Sequence, residues 1–365
     1  MKTPEQQTDL ISLTKELIRI PSTHSRPDKI KKCNQWIQSW LSSRNIHYTS
    51  VVHNNVPSLL VLPKENHSPV LLMSHFDVVE TDNPELFKPK ERNGKLYGRG
   101  AIDDKYGVAL SLTLFDNHLK HIAKYGKGQE AMQFGLLLTG DEEIGGANGT
   151  AKAIDHFSTD FFITIDGGSP NLIVTKEKGF LLLELTAHGE AAHAARPWLG
   201  QNAFDILASD YLRIKEFFKD QEKDHWNKTI SLTQCSAGTC STNIVPGSAR
   251  ALLDIRYTEQ DDPDELVAQI KKNVACHVLV KAKEPVFSSG KSPYLDNLMS
   301  HATDARTGRE HGASDARYLA SRGIPGVIWG ADGGMSLHTE DEHLVISSLF
   351  DIYARLDRFL ATLPG

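Results

Sequence analysis

The sequence has few cysteines, no long apolar run and no dense run of basic residues. Four cysteines among 365 residues, scattered along the chain, indicate a reducing compartment rather than a disulfide framework. Cys235 and Cys240 are not spaced like a metal-binding or redox pair, so we expect ordinary strand or loop thiols. Residues 1–7 lack the apolar core of a secretion signal. These features predict a cytoplasmic protein.

The charge and hydropathy disfavour nucleic acid and membranes as partners. The net charge is −6, without the basic segment that a polyanion would require. No apolar stretch approaches the roughly 20 residues that a membrane-spanning helix needs. A hydrophobic content of 40% and a length of 365 residues are typical of a globular protein with more than one domain.

Predicted strands and helices alternate in the first half of the sequence. Residues 70–73 and 161–165 are apolar runs that indicate strands buried on both faces, and residues 106–123 between them indicate a helix. This alternation is typical of an α/β fold with a doubly wound, mostly parallel sheet, whose sites lie at the carboxyl ends of strands.

The pattern changes between residues 179 and 287. The order of predicted elements there is β-α-β-β-α-β, the split βαβ arrangement of a ferredoxin-like unit. Strands are expected at 179–188, 228–234, 249–257 and 277–283, and helices at 202–220 and 262–274. We therefore expect residues 1–178 and 288–365 to form one domain, with residues 179–287 as an inserted α+β domain.

His75 and Asp77 follow the predicted strand at 70–73. Two positions apart in a strand, their side chains share a face. A metal-binding histidine commonly donates its other ring N–H to a carboxylate, which is the arrangement this spacing allows. A surface His-x-Asp is the alternative, and the buried strand before it favours the ligand.

Asp103 and Asp104 follow a turn containing Gly98 and Gly100, where glycine permits a tight backbone. A carboxylate in such a turn can bridge two metals, but it can also cap the helix that follows. We expect Asp103 to bridge and Asp104 to cap.

Two further predicted strands also end in carboxylates. Glu142 and Glu143 diverge because they are adjacent, so one can bind metal while the other acts as general base; a solvated acidic turn is the alternative. Asp166 ends an apolar strand, where a carboxylate needs a partner. With His75 and the late His338, these residues form an oxygen and nitrogen donor set suited to zinc, with cobalt or manganese as substitutes.

The order His-x-Asp, Gly-Arg-Gly-Ala-x-Asp-Asp-Lys, Asp-Glu-Glu, Asp and late His closely resembles the dinuclear-zinc amidohydrolases and metallopeptidases, over nearly the whole chain. That family includes succinyl-diaminopimelate desuccinylase, acetylornithine deacetylase, aminoacylase, glutamate carboxypeptidase and several dipeptidases. The resemblance implies two Zn²⁺ ions, with Co²⁺ or Mn²⁺ as substitutes. It assigns five metal ligands: His75, Asp103 as the bridge, Glu143, Asp166 and His338.

The resemblance also implies the roles of other residues. Asp77 would orient His75, and Glu142 would be general base and then proton donor to the leaving amine. His193 matches a family histidine that reaches the scissile carbonyl, often from the other subunit of a homodimer formed through the inserted domain. The candidate substrate contacts are Asn243, Lys178, Arg317 and Arg256, the last as a carboxylate clamp or an ordinary surface ion pair.

We therefore expect a metal-dependent hydrolase that cleaves an amide, in a peptide or N-acyl amino acid, next to a free carboxylate. Residues 176–182, 237–247 and 314–317 resemble the desuccinylase and deacetylase branch, but that branch commonly has Glu-Pro where this chain has Asp-Gly-Gly at 166–168. Residues 101–105 are more like the carboxypeptidases and dipeptidases. The alternatives from other classes are a two-metal phosphoesterase, which should gather basic groups at the site, and a non-catalytic binding relative, which should lack Glu142.

Overall fold

The computed structural model describes residues 4–64, 66–218, 225–239 and 241–364. Cys240 and the end of the helix predicted at 202–220 lie outside the described residues. The chain divides into two compact units: residues 1–176, 288–309 and 314–365 form the first, and residues 177–287 with 310–313 form the second. No helix among the described residues is long and apolar enough to cross a bilayer.

The helices and strands are listed here in chain order. The helices are α1 Pro4–Ile18, α2 Pro27–Ser42, α3 Lys105–Ala123, α4 Thr150–Ala153, α5 Ala203–Lys215, α6 Pro263–Asn273, α7 Pro293–His301, α8 Ala316–Ala320 and α9 Ile346–Ala361. The strands are β1 Thr49–His53, β2 Val56–Val61, β3 His67–His75, β4 Lys90–Arg92, β5 Lys95–Tyr97, β6 Phe134–Thr139, β7 Ser158–Thr164, β8 Leu172–Glu177, β9 Gly179–His188, β10 Ala192–His193, β11 Thr229–Ala237, β12 Ile244–Val245, β13 Ser248–Tyr257, β14 His277–Glu284, β15 Phe287–Ser288, β16 Arg306–Glu310, β17 Gly326–Ile328 and β18 His343–Val345.

The first unit is built on a mixed sheet with the order β1-β2-β6-β3-β7-β17-β8-β15, and β16 pairs with β8. The four central strands, β6, β3, β7 and β17, are parallel, as the alternation predicted. The strands beside them are antiparallel, so the sheet is not mostly parallel throughout. The antiparallel pairing of β1 with β2 has a local cause. Asn54 and Asn55 both have positive φ and reverse the chain in a tight hairpin between these two strands.

The centre of this sheet is buried on both faces. Every residue of β6 is buried, as is most of β3, which explains why these strands are continuous apolar runs. Helix α3 packs against β3, α1 and α9. Strands β3, β6 and β7 therefore form a rigid support for the loops that follow their carboxyl ends.

A small sheet of β4, β5 and β18 was not predicted, because each of its strands has only three residues. His343 in β18 pairs with Tyr97 in β5. The chain segments next to this pairing carry His338 and Asp103, respectively. The small sheet therefore brings together two loops that are far apart in sequence.

The second unit contains an antiparallel sheet with the order β11-β13-β9-β14, and α5 packs on β9 and β13. Along the chain its main elements follow the order β9-α5-β11-β13-α6-β14. Helix α6 starts after Asp262, whose side chain accepts hydrogen bonds from the main-chain N–H groups of Asp264 and Glu265. Strand β11 lies at the edge of the sheet, and most of its residues are exposed.

Candidate metal and active site

The end of strand β3 and four loops of the first unit bring the five predicted ligands together. His75 is the last residue of β3, Glu143 lies just beyond β6, and Asp166 follows β7. Parallel strands end at one edge of a sheet, so these three side chains lie close together. Asp103 and His338 reach the same place on the loops beside β5 and β18.

Asp103 lies between two histidines. Its Oδ1 is 2.9 Å from Nε2 of His75, and its Oδ2 is 2.8 Å from Nε2 of His338. Asp166 Oδ2 is 3.7 Å from the same nitrogen of His75, and Glu143 Oε2 is 3.3 Å from that of His338. The five side chains thus form two groups that share Asp103, with candidate ligand atoms all within 4.8 Å of one another in each group.

This donor set fits a pair of divalent cations. Each group offers one imidazole nitrogen and two carboxylates, the ligands that zinc, cobalt and manganese accept. Burial and the nearby negative charge of Asp103 raise the pKa of Glu143 to about 7, and the same two causes raise the pKa of Asp166. A divalent cation would relieve this crowding of carboxylates.

Asp77 connects His75 to the turn that carries Glu142 and Glu143. Its Oδ1 is 3.4 Å from Nδ1 of His75, and its main-chain oxygen is 3.1 Å from the same nitrogen. Oδ1 also accepts the main-chain N–H of Glu142 at 3.2 Å, and Oδ2 accepts that of Glu143 at 3.0 Å. Burial opposes ionisation of Asp77, but hydrogen bonds with His24 and His75 outweigh it and lower its pKa to about 2.

His24 is a residue that the sequence did not reveal. Its Nε2 lies 2.9 Å from Oδ2 of Asp77, so the N-terminal segment supports the carboxylate that orients His75. The sequence around His24 gives no signal of this role, because its partner is 53 residues away.

Glu142 lies next to both groups without belonging to either. It lines a small pocket together with His75, Asp166 and Asp315. Burial raises its pKa well above the usual range, and the nearby carboxylates of Asp315 and Asp166 add to the effect. A carboxylate with a raised pKa can accept a proton and later release it, as a general base and acid must.

Asp104 does not cap α3 as predicted. It precedes the helix, but its side chain makes no capping hydrogen bond. Instead, its Oδ2 accepts the main-chain N–H of His75 at 3.3 Å. Burial raises the pKa of Asp104 well above its ordinary value.

Glu342 is a second residue that the sequence did not reveal. Its Oε1 accepts the main-chain N–H groups of Gly100 at 2.8 Å and Ile102 at 3.4 Å, and its Oε2 pairs with the Arg99 guanidinium. This buried carboxylate therefore holds the loop of Asp103 against the segment that follows His338. A buried arginine requires an anionic partner, but Arg99 alone does not indicate which one.

Two predicted substrate contacts have other partners. Arg317 is 4% exposed, and its guanidinium donates to the main-chain oxygens of Ser314 at 2.6 Å and Gly145 at 2.8 Å. Lys178, in the second unit, is fully buried and donates to the main-chain oxygen of Asn227 at 2.5 Å. Both cations thus have partners within their own unit, and their contact with substrate stays a prediction.

The other predicted contacts lie in the second unit. His193 and Asn243 are exposed and adjacent, because β10 pairs with β12 and the Ala194 N–H donates to the Asn243 main-chain oxygen at 2.8 Å. Arg256 has the ion pair that was the alternative interpretation: its Nε is 2.8 Å from Asp254 Oδ1, and its guanidinium lies 4.7 Å from the centre of the Phe180 ring.

Comparisons with known proteins give the family of the chain. The model of Peptidase family M20/M25/M40 matches residues 71–362. A succinyl-diaminopimelate desuccinylase of Rhodospirillum centenum is 26% identical over 95% of each chain. An M20 family metallo-carboxypeptidase of Sulfolobus solfataricus has the same fold, with a TM-score of 0.77 at 18% identity over 96% of this chain and 98% of that one. A tripeptidase of Staphylococcus aureus aligns with a TM-score of 0.74 at 21% identity over 97% of each chain. The chain therefore belongs to Peptidase family M20/M25/M40, metal-dependent hydrolases that act on small amide substrates.

Proposed function

We propose that the protein hydrolyses an amide bond, in a peptide or an N-acyl amino acid, next to a free carboxylate. The observation that carries the proposal is the position of Asp103, whose two oxygens reach two different histidines. One side chain can therefore serve two metal sites at once, the arrangement that two-metal hydrolases use.

Two divalent ions, Zn²⁺ with Co²⁺ or Mn²⁺ as substitutes, would be held by the two groups that share Asp103. When bound, such ions polarise the substrate carbonyl and lower the pKa of a water molecule to about 7. His75 would be held in position by Asp77, and His338 by the connection that Glu342 makes to the loop of Asp103.

Glu142 would supply the proton transfers. Its carboxylate takes a proton from the attacking water and delivers it to the nitrogen of the leaving amine. Asp77 fixes the main-chain N–H of Glu142, which keeps the carboxylate beside the ligand groups. The presence of Glu142 also argues against a binding relative that has lost catalysis.

Residues 179–287 would act as a lid and dimerisation domain. Nδ1 of His193 accepts the main-chain N–H of Ala195 at 3.1 Å, so the neutral ring carries its proton on Nε2. That N–H can donate to the oxygen of the scissile carbonyl, in the same subunit or across a dimer, and Asn243 beside it would contact the substrate. The exposed edge strand β11 offers a surface for pairing with a second copy.

Two more specific activities remain candidates, succinyl-diaminopimelate desuccinylase and acetylornithine deacetylase. The first is supported by the relative of that name, at 26% identity. A phosphoesterase should gather basic side chains at the site, and Arg317, the arginine that contacts the turn of Glu142, donates to the main-chain oxygens of Ser314 and Gly145.

A substrate panel tests the proposal. The purified protein with added Zn²⁺ is assayed on N-succinyl and N-acetyl amino acids, dipeptides, the carboxamide forms of these compounds, and phosphoesters. We expect turnover of amides with a free carboxylate and slower turnover of their carboxamides. Turnover of phosphoesters alone would contradict the proposal.

A further inference from the structure

The turn that carries Glu142 and Glu143 is held by a segment to which the proposed reaction assigns no role. We propose that Arg317 is a positioning residue for Glu142, and that with Asp315 and Tyr318 it clamps residues 142–146. This inference rests on the proposed function, in which Glu142 is the general base.

The turn has one defined shape. Residues 142–144 form a single 3₁₀ turn, which ends at Gly145 with φ 98° and Gly146 with φ 64°. The N–H of Gly145 donates to the main-chain oxygen of Glu142 at 2.7 Å, and that of Gly146 to the oxygen of Asp141 at 2.8 Å. A displacement of Gly145 should therefore also displace the main chain of Glu142.

Two side chains donate hydrogen bonds to the main-chain oxygen of Gly145. Nη2 of Arg317 donates to it at 2.8 Å, and the hydroxyl of Tyr318 donates to it at 2.5 Å. The guanidinium lies 4.6 Å from the centre of the Tyr318 ring and donates through Nη1 to the oxygen of Ser314 at 2.6 Å. The planar guanidinium of Arg317 thus links the start of α8 to the turn, and the side chain is 4% exposed.

Asp315 fits against the next residue of the turn. A Cβ atom at Gly146 would lie 2.1 Å from Oδ1 of Asp315, so only glycine lets the Asp315 carboxylate pack this closely against residue 146. Oδ2 of Asp315 accepts the hydroxyl of Thr150 at 2.5 Å, at the start of α4. The segment 314–318 therefore contacts the turn and the helix that follows it.

Glu142 is consequently held from both sides. Asp77 accepts its main-chain N–H on one side, and Arg317 and Tyr318 hold the end of its turn on the other. A displacement of about 1 Å in a reacting group lowers rates by about 10²-fold. Loss of the Arg317 guanidinium should therefore lower kcat and leave KM nearly unchanged.

The test compares Arg317→Met, Arg317→Lys and Tyr318→Phe with a matched control, Arg322→Met. Arg322 also donates to a main-chain oxygen, that of Ile154 at 3.5 Å, but its partners, Ile154 and Asp155, are not residues of the turn. Each variant is assayed on the best carboxylate substrate of the panel and on its carboxamide, and its metal content is measured.

For Arg317→Met we expect kcat to fall about 10- to 100-fold on both substrates, with KM within about 2-fold and metal content unchanged. Arg317→Lys keeps one donor and should recover part of the loss, Tyr318→Phe should lose less, and Arg322→Met should match the parent protein. A rise in KM for the carboxylate substrate only would show that Arg317 binds substrate and would overturn the proposal.

Hydrogen–deuterium exchange on residues 142–148 tests the clamp without any substrate. We expect faster exchange in Arg317→Met and Tyr318→Phe than in the parent, and unchanged exchange there would also overturn the proposal. If the parent protein hydrolyses no amide, the proposed function fails, but the exchange result still decides whether the clamp exists. Tyr318→Phe keeps the test open if Arg317→Met does not fold.

Discussion

The metal-ligand cluster of the first unit and the predicted substrate contacts differ in whether the structure gathers their residues in one place. At the carboxyl edge of the first sheet, five predicted ligands form two groups around Asp103. Of the four predicted substrate contacts, Asn243 alone is exposed, and it lies beside the exposed His193. The position of a ligand at a strand end follows from topology, whereas the role of a long cationic side chain depends on which distant groups it meets.

The largest expected effect concerns Glu142, which lies beside the ligand cluster. Glu142→Gln should lower kcat by about 10⁴-fold, because the same carboxylate serves both proton transfers. The bound metal should remain, since Glu142 belongs to neither ligand group. Steady-state kinetics and elemental analysis of the purified variant measure both quantities. The control is Glu340→Gln, which changes an exposed glutamate near His338 in sequence. If Glu142→Gln kept the parent rate, Glu142 would not be the general base.

The cluster could be predicted because its ligands follow recognisable strands. The apolar runs of β3, β6 and β7 indicate buried parallel strands, and the residues just after parallel strands must share an edge. The supporting residues could not be predicted in this way. Glu342 pairs with Arg99 across 243 positions, and no local pattern records that pairing.

The cationic residues were harder to interpret for a different reason. Arg317 and Lys178 donate to the main-chain oxygens of Gly145 and Asn227, and a carbonyl acceptor has no signature in the side-chain sequence. The short strands β4, β5 and β18 were missed because three residues are too few to show a period. The supporting residues and the partners of the cations thus depend on contacts between residues that are far apart in sequence.

His193→Ala tests whether the second region takes part in catalysis. Loss of one hydrogen-bond donor to a developing oxyanion should lower kcat by about 10²-fold, with a smaller change in KM. His188→Ala, an exposed histidine in the same unit, is the matched control and should have no effect. An unchanged kcat in His193→Ala would show that the residue does not reach the substrate carbonyl.

Asp77→Asn tests the support of the ligand cluster. An amide cannot accept at both of its former oxygen positions, so His75 and the turn of Glu143 lose part of their anchor. We expect metal affinity to fall by about 10-fold, measured by calorimetric titration of Zn²⁺ into the chelator-treated protein. Asp82→Asn, an exposed acid on a nearby loop, should leave the affinity unchanged. An unchanged affinity in Asp77→Asn would mean that His75 is held well enough by the main-chain oxygen of residue 77.

Arg256→Met should have the smallest effect. It tests directly whether a predicted substrate contact binds substrate or only forms an ion pair within the protein. Arg256 is already paired with Asp254, and a partly exposed pair of this kind contributes about 0.5 kcal/mol to stability. We expect KM for the carboxylate substrate to stay within about 2-fold, since only the ion pair and the contact with Phe180 are lost. Arg250→Met removes another paired arginine from the same strand, β13, and should behave alike. A large rise in KM for Arg256→Met alone would make Arg256 the carboxylate clamp, because Arg250→Met controls for the loss of an ion pair from this strand.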